Sequence, residues 1–218
     1  MNMPISQVKT IGILGAGRVG TAIARRAVAA GYEVRLATSK TPEDIAIVLE
    51  IIVPGAKADT AENVIAAADI VVLALPLSKH RSLSPELLAD KIVVDAMNYW
   101  APTDGTIAEF EGERSSSEIV QEFLVHARLV RSFNHMGYHE IEEEARLAGD
   151  PERRAMAVAG NDEDARREVA VFIDRIGFDP VDAGPLLFSR LFDTGTPLFG
   201  AMVNRAVMER ALQLQRAG

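Results

Sequence analysis

The stretch Gly15-Ala16-Gly17-Arg18-Val19-Gly20 limits the possible folds of this chain more than any other, because of its flanks. Val8-Lys9-Thr10-Ile11-Gly12-Ile13-Leu14 precedes it, a short apolar run rich in β-formers, and Thr21 to Ala30 follows and reads as a helix. Strand, glycine turn and helix in succession turn a G-x-G-x-x-G match into an expectation of dinucleotide binding. Each glycine has a separate reason. Gly15 permits the tight turn, Gly17 lets backbone N–H groups approach a pyrophosphate, and Gly20 lets the helix pack close to the strand. The helix start adds free N–H groups and a partial positive charge. A glycine-rich βα turn without a ligand is the alternative reading of the same letters.

Which dinucleotide follows from the end of the second strand, Glu33 to Thr38. An NAD site places Asp or Glu there to accept from the ribose 2′-OH. Thr38-Ser39-Lys40 stands there instead. Two hydroxyls and an ammonium suit a 2′-phosphate, and Arg18 is a candidate second cation. NADP(H) is therefore expected over NAD. The same residues also lead into a helix start, since Thr41-Pro42-Glu43-Asp44 has an N-cap pattern with Pro at the first helical position.

Further along, strands and helices alternate. A helix is expected over about residues 42–52 and a shorter one from Thr60 to Ala68. Asp69 to Leu75 is a continuous apolar run, as expected of a parallel strand covered on both faces. Lys91 to Asp95 and Arg128 to Phe133 read as further strands; between them Ser115-Ser116-Ser117-Glu118 carries a capping-box pattern before an amphipathic helix from Ile119 to His126. Ala155 to Ala159 and Asp179 to Ala183 read as two more strands, and Leu186 to Arg216 as mostly helical. The alternation predicts an α/β fold, a Rossmann-type doubly wound, mostly parallel sheet with a small C-terminal α/β and helical extension. Residues 1–150 are expected to form the NADP-binding core. Residues 151–218 are expected to pack on it rather than stand as an independent domain.

Composition excludes some chemistry. The net charge is −8, so a nucleic-acid footprint is not expected. With no cysteine, disulfides, thiolate catalysis and cysteine-ligated metals are ruled out. Met1 to Gln7 lacks the pattern of a signal peptide, and no apolar run reaches the length of a membrane span. A cytoplasmic protein without a membrane partner is expected.

Several stretches resemble a known family. Asp182-Ala183-Gly184-Pro185-Leu186, followed by Ser189-Arg190-Leu191 and Thr196-Pro197-Leu198, resembles the C-terminal signature of the coenzyme F420-dependent NADP oxidoreductases. Arg114-Ser115-Ser116-Ser117-Glu118-Ile119-Val120 resembles that family's central helix start, and Leu75-Pro76 falls where the family has its own pair. The resemblance implies hydride transfer between NADP(H) and a 5-deazaflavin by a homodimer. Related domains oxidise NADPH to reduce flavins and metals. This chain departs from the pattern in three loops, at Leu77-Ser78, at Asp95 to Trp100 and at Phe133-Asn134-His135-Met136. The Phe-Asn pair resembles the flavin- and metal-reducing relatives.

Ligands of such sheets bind beyond the carboxyl ends of the strands. Leu75, Pro76, Leu77 and Asn98 are thus expected at the cofactor, with Asn134 and His135 as the catalytic candidates. An Asn side chain offers the nicotinamide carboxamide a donor and an acceptor. His135 is a candidate to orient or protonate the acceptor; its alternative is a packed or capping residue before a helix over 137–147. No metal is expected, because His135 and His139 lack a third ligand. Tyr99 and Trp100 are candidates to roof a planar cofactor or to anchor a loop, and Arg190 to meet an anionic tail or form a surface ion pair. Leu198, Phe199, Met202 and Val203 look too apolar to be covered by one small sheet, so a dimer interface is expected there.

Three functions fit. They are an NADPH:deazaflavin oxidoreductase, an NADPH-dependent reductase of a flavin, quinone or small carbonyl compound, and a non-enzymatic NADP(H)-sensing module.

Overall fold

A computed structural model describes residues 8–217; Met1 to Gln7, on which the signal-peptide reading rests, lie outside the described residues. The chain runs through β1 (Thr10–Leu14), α1 (Arg18–Ala29), β2 (Glu33–Ala37), α2 (Pro42–Ile52), β3 (Ala56–Ala58), α3 (Ala61–Ala67) and β4 (Ile70–Leu73). It continues with β5 (Ile92–Asp95), α4 (Ala101–Asp104), α5 (Ser116–Phe123), β6 (Arg128–Arg131) and α6 (Tyr138–Glu143). The last elements are β7 (Ala155–Gly160), α7 (Glu163–Ile176), β8 (Asp179–Gly184) and α8 (Arg205–Ala217). Leu77–Ser82, Ala108–Phe110 and Leu186–Phe192 form 3-10 turns.

Local chemistry places these boundaries. Thr41 accepts from the Asp44 N–H and Asp44 returns a bond to the Thr41 N–H, which fixes the start of α2. Ser115 and Glu118 make the same reciprocal cap for α5. All of β4 and all of β5 are buried, as strands covered on both faces must be.

One sheet carries eight strands in the order β3-β2-β1-β4-β5-β6-β7-β8. The first six are mutually parallel. This is the Rossmann order, and it reverses between β1 and β4. The carboxyl ends of β1, β2, β4, β5 and β6 therefore lie along one edge. β7 then joins β6 antiparallel, through Val130↔Gly160 and Arg131↔Ala159, and β8 runs parallel to β7.

One strand has no counterpart in the sequence reading, and two expectations need correction. β3 has only three residues, Ala-Lys-Ala, too short and too weakly β-forming to be read in advance. The helix expected over 137–147 stops at Glu143, where the Arg146 N–H is captured by the Gly177 carbonyl at 3.0 Å. The tail is less helical than expected, and it is covered by its own chain. Leu198 is 3% exposed and packs with Val181, Phe192, Met208 and Leu212, so it is not available to a partner. Val203 packs against the same cluster, while Met202 stays 70% exposed. No helix among the described residues is long and apolar enough to cross a membrane.

Candidate cofactor and acceptor site

At the crevice between β1 and β4 the glycine turn is built by exclusion of side chains. Gly15 has φ 118°, and a Cβ on it would stand 2.3 Å from the Ala74 carbonyl oxygen. Its N–H donates to the Ala37 carbonyl at 2.9 Å, which ties the turn to the end of β2. A Cβ on Gly20 would stand 2.1 Å from the Gly15 oxygen, so α1 reaches this close only with glycine there. Gly17 differs: a Cβ on it would meet nothing within 4 Å. Gly17 is the N-cap of α1, with no side-chain cap and no acid in the first turn. First-turn N–H groups have no intrahelical acceptor. The exposed start of α1 at Gly17 and Arg18 thus keeps N–H groups without an intrahelical acceptor, while Ala16 and the Val19 side chain pack against the core.

The corner after β2 lies on the same edge. Thr38 Oγ1 accepts from the Lys40 N–H at 3.1 Å. Ser39 and Lys40 are exposed, and Lys40 has no ion pair among the described residues. Arg18 does not join this corner. Its guanidinium donates to the Tyr138 hydroxyl at 2.8 Å and lies 5.2 Å from that ring. After β4, Leu75 is half-buried and Pro76 is exposed, while Leu77 is turned into the core.

The ends of β5 and β6 are organised by charges that the sequence reading overlooked. Asp95 and Arg131 are paired in register on adjacent strands, and both are fully buried. Arg131 bridges Asp95 at 3.1 Å and Asp193 at 2.6 Å. It also donates to the Met97 carbonyl and, at 3.2 Å, to Asn98 Oδ1. Burial alone would lower the affinity of Arg131 for its proton; the carboxylates of Asp193 and Asp95 more than offset this and raise it. Asp95 also accepts from Ser117 Oγ at 2.6 Å. The available signal was a charged residue closing each of the two strands, Asp95 after Ile92-Val93-Val94 and Arg131 after Leu129-Val130.

Asn98, Asn134 and His135 are brought together, but as a packed network. Asn98 Nδ2 donates to the Asn134 carbonyl at 2.7 Å, and Asn134 Nδ2 donates to the Phe192 carbonyl at 2.9 Å. His135 Nε2 accepts from the Ala157 N–H at 3.2 Å, which assigns the ring proton to Nδ1, facing Asn134 Oδ1. His135 is 2% exposed. Burial, then the charges of Arg131 and Arg154, lower its pKa to about 3. A neutral, enclosed imidazole cannot serve as the proton donor expected of His135. Asn134 likewise has no amide free for a nicotinamide. The cause lies one residue earlier: Phe133 has φ 67°, a left-handed conformation held by a fully buried ring. The chain turns back into the protein there instead of running out along the edge.

A cavity of about 200 Å³ adjoins this network, lined among others by Tyr99, Ser116, Arg190, Asp193 and Thr194. A larger one, about 380 Å³, lies at the opposite edge among Asp69, Asp90, Lys91 and Arg128, away from the glycine turn.

The family model described as "NADP oxidoreductase coenzyme F420-dependent" matches residues 10–99, from β1 to just past β5. The solved structure of hypothetical protein SMa0349 from Sinorhizobium meliloti is 30% identical, with a TM-score of 0.77, over 90% of this chain and 96% of that one. The chain belongs to the family of coenzyme F420-dependent NADP oxidoreductases. An Arthrobacter sp. protein provisionally assigned as an F420-dependent NADP reductase shares the fold, with a TM-score of 0.70 at 23% identity, over 96% of this chain and 92% of that one. The Metalloreductase STEAP3 of Rattus norvegicus is 25% identical over 83% of this chain. The chain spans about a third of that relative's length, 35%.

Proposed function

We propose that this oxidoreductase transfers a hydride between NADP(H) and a deazaflavin of the coenzyme F420 type. The observation that carries the cofactor half is the open space at Gly17 beside the uncapped start of α1. Backbone N–H groups there suit a pyrophosphate, and Thr38, Ser39 and Lys40 suit a 2′-phosphate with no carboxylate to repel it. The acceptor half follows the family and is the finer part of the reading. Bound NADPH supplies the hydride, and the protein supplies orientation and exclusion of water.

In this reading Leu75 and Pro76 border the nicotinamide end. Asn98, Asn134 and His135 act as positioning residues: they lock the β5 and β6 loops to Phe192 and Ala157, so that the wall facing the acceptor has one shape. Residues 1–150 form the cofactor-binding core and 151–218 the extension that completes the acceptor wall. A cytoplasmic homodimer, with exposed Met202 near the contact, belongs to the same reading; a monomer mass in light scattering would remove the dimer.

A second reading, NADPH-dependent reduction of a flavin, is supported by the Phe133-Asn134 pair and by the similarity to the rat metalloreductase. One assay separates the readings. NADPH oxidation is measured against a deazaflavin, FMN, FAD and a quinone. Turnover with the deazaflavin well above the others is expected. Preference for FMN or FAD transfers the assignment to flavin reduction, and tight NADPH binding without turnover on any acceptor leaves the sensing module.

A further inference from the structure

The first turn of α5 is held against the last 3-10 turn. Ser189 Oγ donates to Ser115 Oγ at 2.8 Å, and both residues are buried. That bond places Arg190, the next residue, beside the start of α5, where both line the cavity of about 200 Å³.

Three observations bear on what the cavity takes. Ser116, 8% exposed, lines it, and the Ser116 Oγ has no hydrogen-bond partner among the described residues. Buried hydroxyls are seldom left in that state. Arg190 has no hydrogen bond, ion pair or ring contact among the described residues, although Arg114 on the same rim is paired with Glu122 at 2.7 Å. The eight-residue helix α5 opens here, and its capping box satisfies only the N–H groups of Ser115 and Glu118. Those of Ser116 and Ser117 remain, at the positive end of the helix dipole. Two acids also line the cavity. Glu113 is exposed on the rim, and the Asp193 carboxylate is already bound by Arg131.

We infer that this cavity is an anion subsite that takes the phosphate of the hydride acceptor. A hydroxyl, helix amides and an unpaired guanidinium converge there, and such a set recognises a phosphate monoester or diester. The inference rests on the reading of this edge as the acceptor side, since Asp193 belongs both to the cavity and to the network at the ends of β5 and β6. It narrows the acceptor to phosphorylated flavins and deazaflavins, excluding neutral quinones and unphosphorylated flavins as preferred partners.

The test uses FMN and riboflavin, which share a ring system and differ by one phosphate, each titrated by calorimetry into the protein saturated with NADP⁺. FMN is expected to bind at least about tenfold tighter, the worth of one charge-assisted contact. Arg190→Ala should bring FMN down to the level of riboflavin and leave riboflavin where it was. Arg190→Lys should restore part of the difference, and Ser116→Ala should remove roughly threefold or more. Inorganic phosphate should compete with FMN and not with riboflavin. Equal binding of the two flavins, binding of neither, or equal weakening of both by Arg190→Ala overturns the subsite. Phosphate binding that depends on Arg190 without any preference for FMN overturns its assignment to the acceptor and leaves a site for a free anion. An FMN preference that vanishes with Arg190→Ala, in a protein that fails to oxidise NADPH whichever acceptor is offered, sustains the subsite and sinks the proposed activity instead.

Discussion

At the β1–β4 crevice the protein withdraws its side chains; at the ends of β5 and β6 it buries charged ones. The glycine turn leaves Gly17 in open space and α1 uncapped. Two strands away, Asp95, Arg131 and Asp193 fill the interior. On the proposed function, the contrast follows from what each part would hold. A pyrophosphate needs close N–H groups and room, which backbone provides. A wall of fixed shape beside a reacting ring needs loops that cannot shift, and a buried, multiply bonded guanidinium gives that at a large desolvation cost. Substitutions in one part should therefore cost ligand binding with the fold intact, and in the other the fold itself.

The largest effect is expected from Arg131→Met. It strands the Asp95 and Asp193 carboxylates, and losing one partner of a buried pair costs about 3–5 kcal/mol. Urea unfolding should show that loss; a change under about 1 kcal/mol would mean that the cluster is not what holds the loops. Arg131→Lys should recover little, because the guanidinium fork serves several partners at once.

Next comes Gly17→Val. An added Cβ meets no protein atom within 4 Å, so unfolding should stay within about 1 kcal/mol of the parent, the cost of a poorer N-cap residue. NADPH affinity should fall by roughly a hundredfold or more, about 2.7 kcal/mol. Retained affinity would show that the pyrophosphate lies elsewhere. Lys40→Asp ranks third. The parent should prefer NADPH to NADH by about tenfold or more, about 1.4 kcal/mol, and the variant should narrow or invert that ratio. Equal dissociation constants for the two cofactors in the parent would remove the 2′-phosphate reading of Thr38, Ser39 and Lys40.

The effect that is smallest at neutral pH, and that grows only in acid, is that of His135. His135 has an ordinary pKa of 6.5 when unfolded and about 3 when folded. Below 6.5 the unfolded chain takes up a proton that the folded chain refuses, so stability is complete above pH 6.5 and is lost as pH falls toward 3. Melting temperature should decline through that window. His135→Gln, which keeps an acceptor for the Ala157 N–H, should flatten the decline. An identical slope in the variant would assign the acid sensitivity to other groups.

The same contrast explains what could be read in the letters. The glycine turn, the caps at Thr41 and Ser115 and the apolar strands are local patterns, and the doubly wound, mostly parallel sheet followed from their alternation. The packed network was not readable in this way. Asn134 and His135 were placed at the correct strand end, but Phe133 turns the chain inward through a left-handed conformation that no sequence rule assigns to phenylalanine. Arg131 meets Asp193 across 62 residues of sequence, a pairing that only the folded sheet creates.

The antiparallel entry of β7 has a consequence for synthesis. Because β7 and β8 run against the first six strands, β8 ends at the edge away from the glycine turn. The segment Leu186–Phe192 must cross back over the sheet to bring Asp193 to Arg131. On the ribosome the glycine turn and all six parallel strands emerge long before that segment. A nascent chain can therefore acquire a pyrophosphate cradle while Arg131 still lacks its second carboxylate. The glycine turn can thus form before the charge cluster at the ends of β5 and β6 is complete, and the return of the chain across the sheet is the step that closes it.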